Sequence, residues 1–325
     1  MKQLAIIIPA YNASTSLNRL LSQIVGQCTD QVEVVVVDDG SSDDTLSVAQ
    51  SYSGNGVVAV HQDNAGVSSA RNRGIQECSA QYIWFVDADD YLKPGAISTL
   101  LAAIEQEHAD CYLFGFEKRN GSNVTCEVND GSRLYADQQQ VSEHINEIFS
   151  QNLVNTLWNK VFKREIIATN SLHFEKMESG EDATFVLQYL AVSNSLYVVA
   201  QIVYGYVLHS DTSSSHVYHA QYADDESRMF SALQTYCHQT GAKAGSIYAS
   251  WGKDLVIGLD INAYNGMGPR KNYAAFRRLV NEQRQRLSGM AKVNYYAMSR
   301  WCVRLMRNSV VGYCVLRMRS LLRHD

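Results

Sequence analysis

Residues 82–90 read Tyr-Ile-Trp-Phe-Val-Asp-Ala-Asp-Asp, YIWFVDADD. An unbroken apolar run is the pattern of a strand buried on both faces. This one ends abruptly in three carboxylates within four positions. Like charges so close repel or protonate unless something balances them, and a divalent cation is the usual partner. With Asp87 and Asp89 two apart, an irregular turn after the strand can aim one at a sugar hydroxyl and the other at a metal. The competing reading is a helix N-terminus capped by Asp90. The D-x-D spacing alone leaves both open.

The residues before this strand repeat its logic. Apolar runs at 4–8 and 32–37 and a further strand at 57–61 alternate with helical patterns at 17–26, from about 43, and at 67–77. Strands separated by helices of about ten residues are βαβ units, which predicts an α/β fold with a parallel sheet. Polar residues gather just after each strand, where open α/β sheets bind ligands. Asp38 and Asp39 end the second run, and a carboxylate there can accept hydrogen bonds from a base N–H or a ribose hydroxyl. Helix capping, the alternative, falls to Asp43 or Asp44. Asn64-Ala65-Gly66 and the pair Arg71 and Arg73 follow near the same edge. Guanidinium groups there suit a nucleotide or diphosphate, although an arginine pair on a helix is usually a solvated face.

Beyond Pro94 the pattern loosens. Helices are expected at 96–107, 138–149, 160–168 and 181–192, strands at 109–117 and 196–206, and a polar hairpin or loop at 121–133. Glu181 and Asp182 open their helix, where acids also complement the helix dipole. In Trp158-Asn159-Lys160, the flat ring suits the C–H faces of an acceptor sugar, with a core tryptophan as the alternative. Residues 209–219, rich in Ser and Thr with three histidines, read as a loop, and from about 221 onward the periodicity is mostly helical.

Taken together, IIIPAYN (6–12), VVVDDGSSDDT (35–45), HQDNAGVSSARNRGI (61–75), WFVDADD (84–90) and GEDATF (180–185) resemble the family 2 glycosyltransferases in order and spacing, over about residues 1–215. The resemblance implies a GT-A fold: a Rossmann-like mixed, mostly parallel sheet flanked by helices. It also implies a nucleotide-sugar donor, Mn²⁺ or Mg²⁺, and inversion at the anomeric carbon. Matched motif by motif, Pro9, Ala10 and Tyr11 frame the nucleoside, Asp39 hydrogen-bonds the base (uracil), and Asn64 belongs to the donor site. Arg71 lies near the base or diphosphate and Asp87 faces the ribose or sugar. Asp89 holds the metal, and His209 completes metal or diphosphate contacts. Asp182 is the general base. Apart from the resemblance, the residues themselves suggest that Glu181 orients the site or binds the acceptor, with Trp158 as the acceptor's stacking partner. Residues 216–325 fall outside the resemblance and are expected to form a helical, basic extension.

Composition bounds the remaining classes. The 325 residues are 46% hydrophobic and 19% charged with only 3 Pro, which excludes collagen-like and disordered chains. The opening apolar run stops at Pro9, shorter than a secretory core, and no stretch of about 18 apolar residues occurs. Seven cysteines without a C-x-x-C pair fit free thiols in a reducing cytosol. Residues 1–268 carry 15 Lys and Arg against 31 Asp and Glu, whereas 269–325 carry 13 against 2. Residues 300–325 interleave arginine with apolar side chains. Such a segment either packs on the acidic body or lies on an anionic bilayer at the inner face of the cell membrane. Nucleic acid is not an expected partner. The expected activity is transfer from a UDP-sugar to a glycan or lipid-linked acceptor in bacterial surface polysaccharide assembly. The alternatives are a nucleotidyltransferase of related fold and a non-catalytic glycan-binding relative. A nucleotidyltransferase would need a Gly-rich triphosphate loop where this chain has Pro-Ala-Tyr-Asn.

Overall fold

A computed structural model of the chain describes residues 2–127, 131–150, 153, 156–208, 218–267, 273–289, 291–293 and 295. The chain divides into two compact units. The first comprises Met1–Ile145, Asn152–Lys176 and Glu181–Leu208; the second comprises Asn146–Gln151, Met177–Gly180 and His209–Asp325.

Elements of the first unit follow in chain order. They are β1 (Leu4–Ala10), α1 (Ser14–Val25), β2 (Val32–Asp39), α2 (Thr45–Ser51), β3 (Val57–Gln62), α3 (Val67–Glu77) and β4 (Tyr82–Phe85). Next come β5 (Tyr91–Leu92), α4 (Ala96–Glu107), β6 (Cys111–Asn120), β7 (Asn123–Glu127), β8 (Arg133–Tyr135) and α5 (Gln138–Ser150). The series closes with β9 (Lys160–Lys163), α6 (Arg164–Thr169), α7 (Glu181–Val192) and β10 (Leu196–Val207). The strands form one mixed sheet in the order β3-β2-β1-β4-β9-β6-β10-β5, with β7 on β6 and β8 on β10. The first four strands run parallel, as do β6 and β10, while β9 is antiparallel to both β4 and β6.

Register puts the acid pairs on one edge. Ile7 pairs with Phe85 and Ala10 with Asp38, so the chain beyond β4 and the end of β2 both leave the sheet beside the end of β1. Pro9 lies past the last residue of β1 paired with β4, so its missing N–H takes nothing from that ladder. The strands are apolar because helices cover both faces: Leu4–Ile8 and Trp84 have no exposure. Gly74 lets α3 lie directly on β1; a Cβ there would stand 2.3 Å from Ile7 Cγ2.

One expectation is overturned. Residues 160–163 are strand β9 rather than helix, and the helix starts only at Arg164. Val161 and Phe162, both fully buried, fill the slot between β4 and β6, and the ladders on both sides outweigh a weak helical pattern. β10 covers the expected strand, and α7 begins and ends at 181 and 192 as read.

In the second unit, helices α8 (Tyr222–Thr240), α9 (Ala244–Asn265) and α10 (Tyr273–Arg286) agree with the helical periodicity. Phe230 stacks on Trp251 at 4.2 Å, and Ala263, Tyr264, Met267, Phe276 and Val280 form an apolar cluster. Among the described residues no helix is long and apolar enough to cross a membrane. The basic stretch 300–325 and His209 lie outside the described residues.

Candidate active site

Two short loops build the first wall of the site. Asn12, at φ 47, donates its N–H to Ser41 Oγ and accepts from Ser42 N at 2.8 Å. Ala13 N donates to Thr45 Oγ1 and Ser14 N to Asp43 Oδ2, so the loops after β1 and β2 are stitched together. Asp43 also accepts from Thr45 N, which makes it the residue that secures the start of α2. Burial works against its charge, but these hydrogen bonds hold its carboxyl down to about 2. Pro9 and Ala10 are buried in β1, whereas Tyr11 is 53% exposed at the strand end, where a planar group can lie.

Asp39 is 4% exposed and well supplied with donors. Its Oδ1 accepts from Gln62 Nε2 (2.7 Å) and Ala65 N (2.9 Å), and its Oδ2 accepts from Gly66 N (2.8 Å). Three of about four lone-pair positions are thus taken by β3 and the loop that carries Asn64. Gly40, at φ 74, is required here, since a Cβ would stand 2.7 Å from Asn64 N. Asn64 itself is exposed at the tip of that loop.

The turn after β4 is braced from two sides. Arg19 on α1 donates to the carbonyl of Asp89 (2.7 Å), and Gln23 Oε1 accepts from Leu92 N. From β10, the Tyr204 hydroxyl donates to Asp90 Oδ2 at 2.5 Å and accepts from Asp87 N, while Val207 N donates to Asp90 Oδ1. Asp90 therefore does not cap a helix; it is fully buried and ties the turn to β10. Burial, reinforced by Asp87, pushes its carboxyl up to about 8. The same turn leaves Asp89 exposed and the Asp87 side chain 30% exposed.

Arg71 joins this turn to α7. It is 4% exposed, yet its Nη1 contacts Asp182 Oδ1 at 2.6 Å and Glu181 Oε1 at 3.1 Å, and its Nη2 lies 3.4 Å from Asp87 Oδ1. Its guanidinium sits 5.4 Å from the Phe174 ring, which stacks on Phe185 of α7 at 4.1 Å. Burial raises the Asp182 carboxyl well above the usual carboxylate range; Arg71 opposes that rise, and Glu181 and Asp87 add to it. Arg73 is not part of the site. It pairs with Glu77 one turn along the exposed face of α3, the ordinary fate of a helix arginine.

Trp158 does not present a sugar platform. It is 5% exposed, its ring stacks on Tyr204 (4.8 Å, 7°) and Tyr206 (5.3 Å, 12°), and Phe116 packs edge-on at 4.5 Å. Its flat face is already covered by aromatic carbon, so the core reading replaces the acceptor reading. Lys160 is likewise internal: its ammonium donates to the carbonyls of Leu153 and Thr156 and to Asn159 Oδ1. Burial pushes Lys160 down to about 7.

A divalent metal is compatible with this edge. Asp87 and Asp89 offer hard carboxylate oxygens two residues apart at the accessible side of the turn. Among the described residues no group of three or more His, Cys, Asp or Glu could hold a metal by itself. A cation such as Mg²⁺ takes one or two carboxylates and completes its shell with phosphate oxygens and water.

Sequence reasoning missed Arg19, Asn72 and Tyr204. Asn72 was visible in ARNRG, and it clamps the chain at Phe174 through two 2.8 Å bonds, Nδ2 to the carbonyl and Oδ1 from the N–H. Nothing local marks Tyr204, whose partner Asp90 is 114 positions away.

Residues 5–169 match the family model described as glycosyl transferase family 2. EpsH of Bacillus subtilis (strain 168), named as a glycosyltransferase, is 26% identical over 210 residues, 63% of this chain and 60% of that protein. The poly(ribitol-phosphate) beta-N-acetylglucosaminyltransferase TarP of Staphylococcus aureus (strain N315) is 27% identical over 225 residues, 67% of this chain and 66% of TarP. The chain thus spans just under two thirds of the length of these relatives. The crystal structure of S. aureus TarS 1-349 with UDP is similar at a TM-score of 0.65 and 18% identity, covering 91% of this chain and 87% of that one. At that identity the likeness shows the fold: a mixed sheet with flanking helices of the GT-A type.

Proposed function

This chain belongs to glycosyl transferase family 2, and from that premise we propose that it moves a sugar from a UDP-sugar, with inversion, to a hydroxyl of a glycan or lipid-linked glycan in bacterial surface polysaccharide assembly. The observation that carries the reading is the carboxylate of Asp182 held by Arg71 within one cluster with Asp87, at the edge where the D-x-D turn opens. TarS, the similar structure, was crystallised with UDP and with UDP-GlcNAc, and TarP carries an N-acetylglucosaminyltransferase name. Both support a uridine diphosphate donor.

In this reading Tyr11, Asp39 and Asn64 hold the nucleoside, and Asp87 meets the ribose or sugar. Asp182 accepts the proton of the acceptor hydroxyl as its oxygen bonds to the anomeric carbon. The bond from that carbon to the diphosphate breaks on the opposite face, and the electron pair leaves with the diphosphate. A raised carboxyl is the stronger base once ionised, and general-base help is worth about 10²–10⁴ in rate. Glu181 orients the incoming hydroxyl. Mn²⁺ or Mg²⁺, when held by Asp89, supplies Lewis-acid stabilisation of the charge growing on the diphosphate.

The test is a panel of UDP-, GDP- and TDP-sugars with Mn²⁺ or Mg²⁺, scoring free nucleoside diphosphate for wild type and D89A. Metal-dependent release from a UDP-sugar, lost in D89A, is the expected result; silence across the panel together with no UDP binding by calorimetry contradicts it. The basic, apolar-interleaved residues 300–325 are proposed to hold the enzyme on an anionic cytoplasmic membrane face. Removing them should weaken binding to phosphatidylglycerol vesicles, and equal binding would return the segment to packing.

A further inference from the structure

We propose that Arg71 is a positioning residue for the base: one buried guanidinium ties Asp182 and Glu181 at the start of α7 to Asp87 after β4. The inference rests on the glycosyl-transfer reading for the role of Asp182, but the tie itself stands on geometry.

Arg71 reaches carboxylates 16, 110 and 111 positions away in the chain, and so bonds both the turn after β4 and the start of α7. A planar fork can serve several carboxylate oxygens at once, which a lysine ammonium does less well. At 4% exposure, with the Phe174 ring beneath it, the guanidinium has little room to swing toward solvent. The adjacent residue repeats the connection, since Asn72 grips the backbone of Phe174 on the segment that leads toward α7. Phe174 and Phe185 stack with planes 9° apart, so the turn of α7 just past Asp182 rests on the same support. Consecutive residues of α3 therefore fix the base through two routes, one ionic and one through the backbone.

The charge balance gives this tie a consequence. Asp182 is faced by Arg71 from α3, by Asp87 from the turn after β4, by its neighbour Glu181, and at longer range by Lys160 from β9. One near cation thus serves three carboxylates. Without it no near cation would oppose the burial and the neighbouring acids that raise the Asp182 carboxyl, so less of the ionised form that takes a proton from the acceptor would be present. Arg71 favours the ionised base and aims it, whatever contacts the guanidinium also makes with a bound diphosphate.

The experiment follows the Asp182 carboxyl directly, by carbon NMR of the full chain labelled at aspartate Cγ, with the resonance assigned by its absence in D182N. Wild type, R71K and R71Q are titrated without substrate. The expected result is a midpoint that rises from wild type to R71K and further to R71Q, by on the order of one pH unit in R71Q. The acid limb of the pH–rate profile for UDP release should move by the same amount and in the same direction. R71K keeps a positive charge and decides the matter if R71Q does not fold. An unmoved Asp182 midpoint in the folded variants overturns the inference. Because the titration needs no substrate, a wild type that releases no UDP would sink the glycosyl-transfer reading while the midpoint still reports on Arg71.

Discussion

Two acid pairs leave neighbouring regions of one sheet edge and meet opposite fates. At the end of β2, the Asp39 carboxylate is surrounded by donors: two loop amides and the Gln62 amide group. After β4, Asp87 shares one guanidinium with Glu181 and Asp182, and three carboxylates compete for a single close cation. In the first arrangement each carboxylate oxygen already finds N–H groups of the chain itself. The second leaves a surplus of negative charge that favours raised carboxyls and offers oxygens to something still to arrive. Similar residues at similar places in the chain therefore differ in whether the fold has finished satisfying them. Strain of the second kind is kept at functional sites at some cost in stability.

Stability measurements can break this comparison. The largest effect is expected at Asp39. D39N replaces one accepting oxygen by an N–H₂ group facing backbone donors, and should lower unfolding stability by about 1–3 kcal/mol. Chemical denaturation of wild type and variant reads it, and an unchanged midpoint would mean that the loop bonds of Asp39 carry no weight. The smaller effect has the opposite sign. Asp182 is raised in the folded chain above its unfolded value, so the native state binds the extra proton, and stability from this group falls as pH rises above about 4. D182N removes that loss, so its melting temperature should exceed wild type at pH 7 and converge with it near pH 4. A variant less stable than wild type at pH 7 would put Asp182 with Asp39 among the acids whose bonds stabilise the fold.

What could be read from the sequence divides along physical lines. The apolar runs ending in Asp38 and Asp87, and the helix opened by Glu181-Asp182, are local patterns, and the structure returns α7 at the expected limits. Residues 160–163 were misread because a four-residue strand carries too little periodicity; only its two neighbours in the sheet make it a strand. Trp158 was ambiguous for a related reason. A flat ring is equally suited to a sugar and to Tyr204, and the choice depends on stacking partners 46 and 48 positions away in the chain. The split between Arg71 and Arg73 likewise follows from which face of α3 meets the acids, a matter of tertiary placement rather than residue type.

As the proposed general base, Asp182 would do chemistry that the donor-holding residues do not. Turnover and UDP affinity of D182N, measured side by side against wild type with the active donor from the panel, test it most directly. UDP release should be slowed by about 10²–10⁴ in D182N with UDP affinity nearly unchanged. Turnover close to wild type, or a loss of UDP binding equal to the loss of rate, would contradict it.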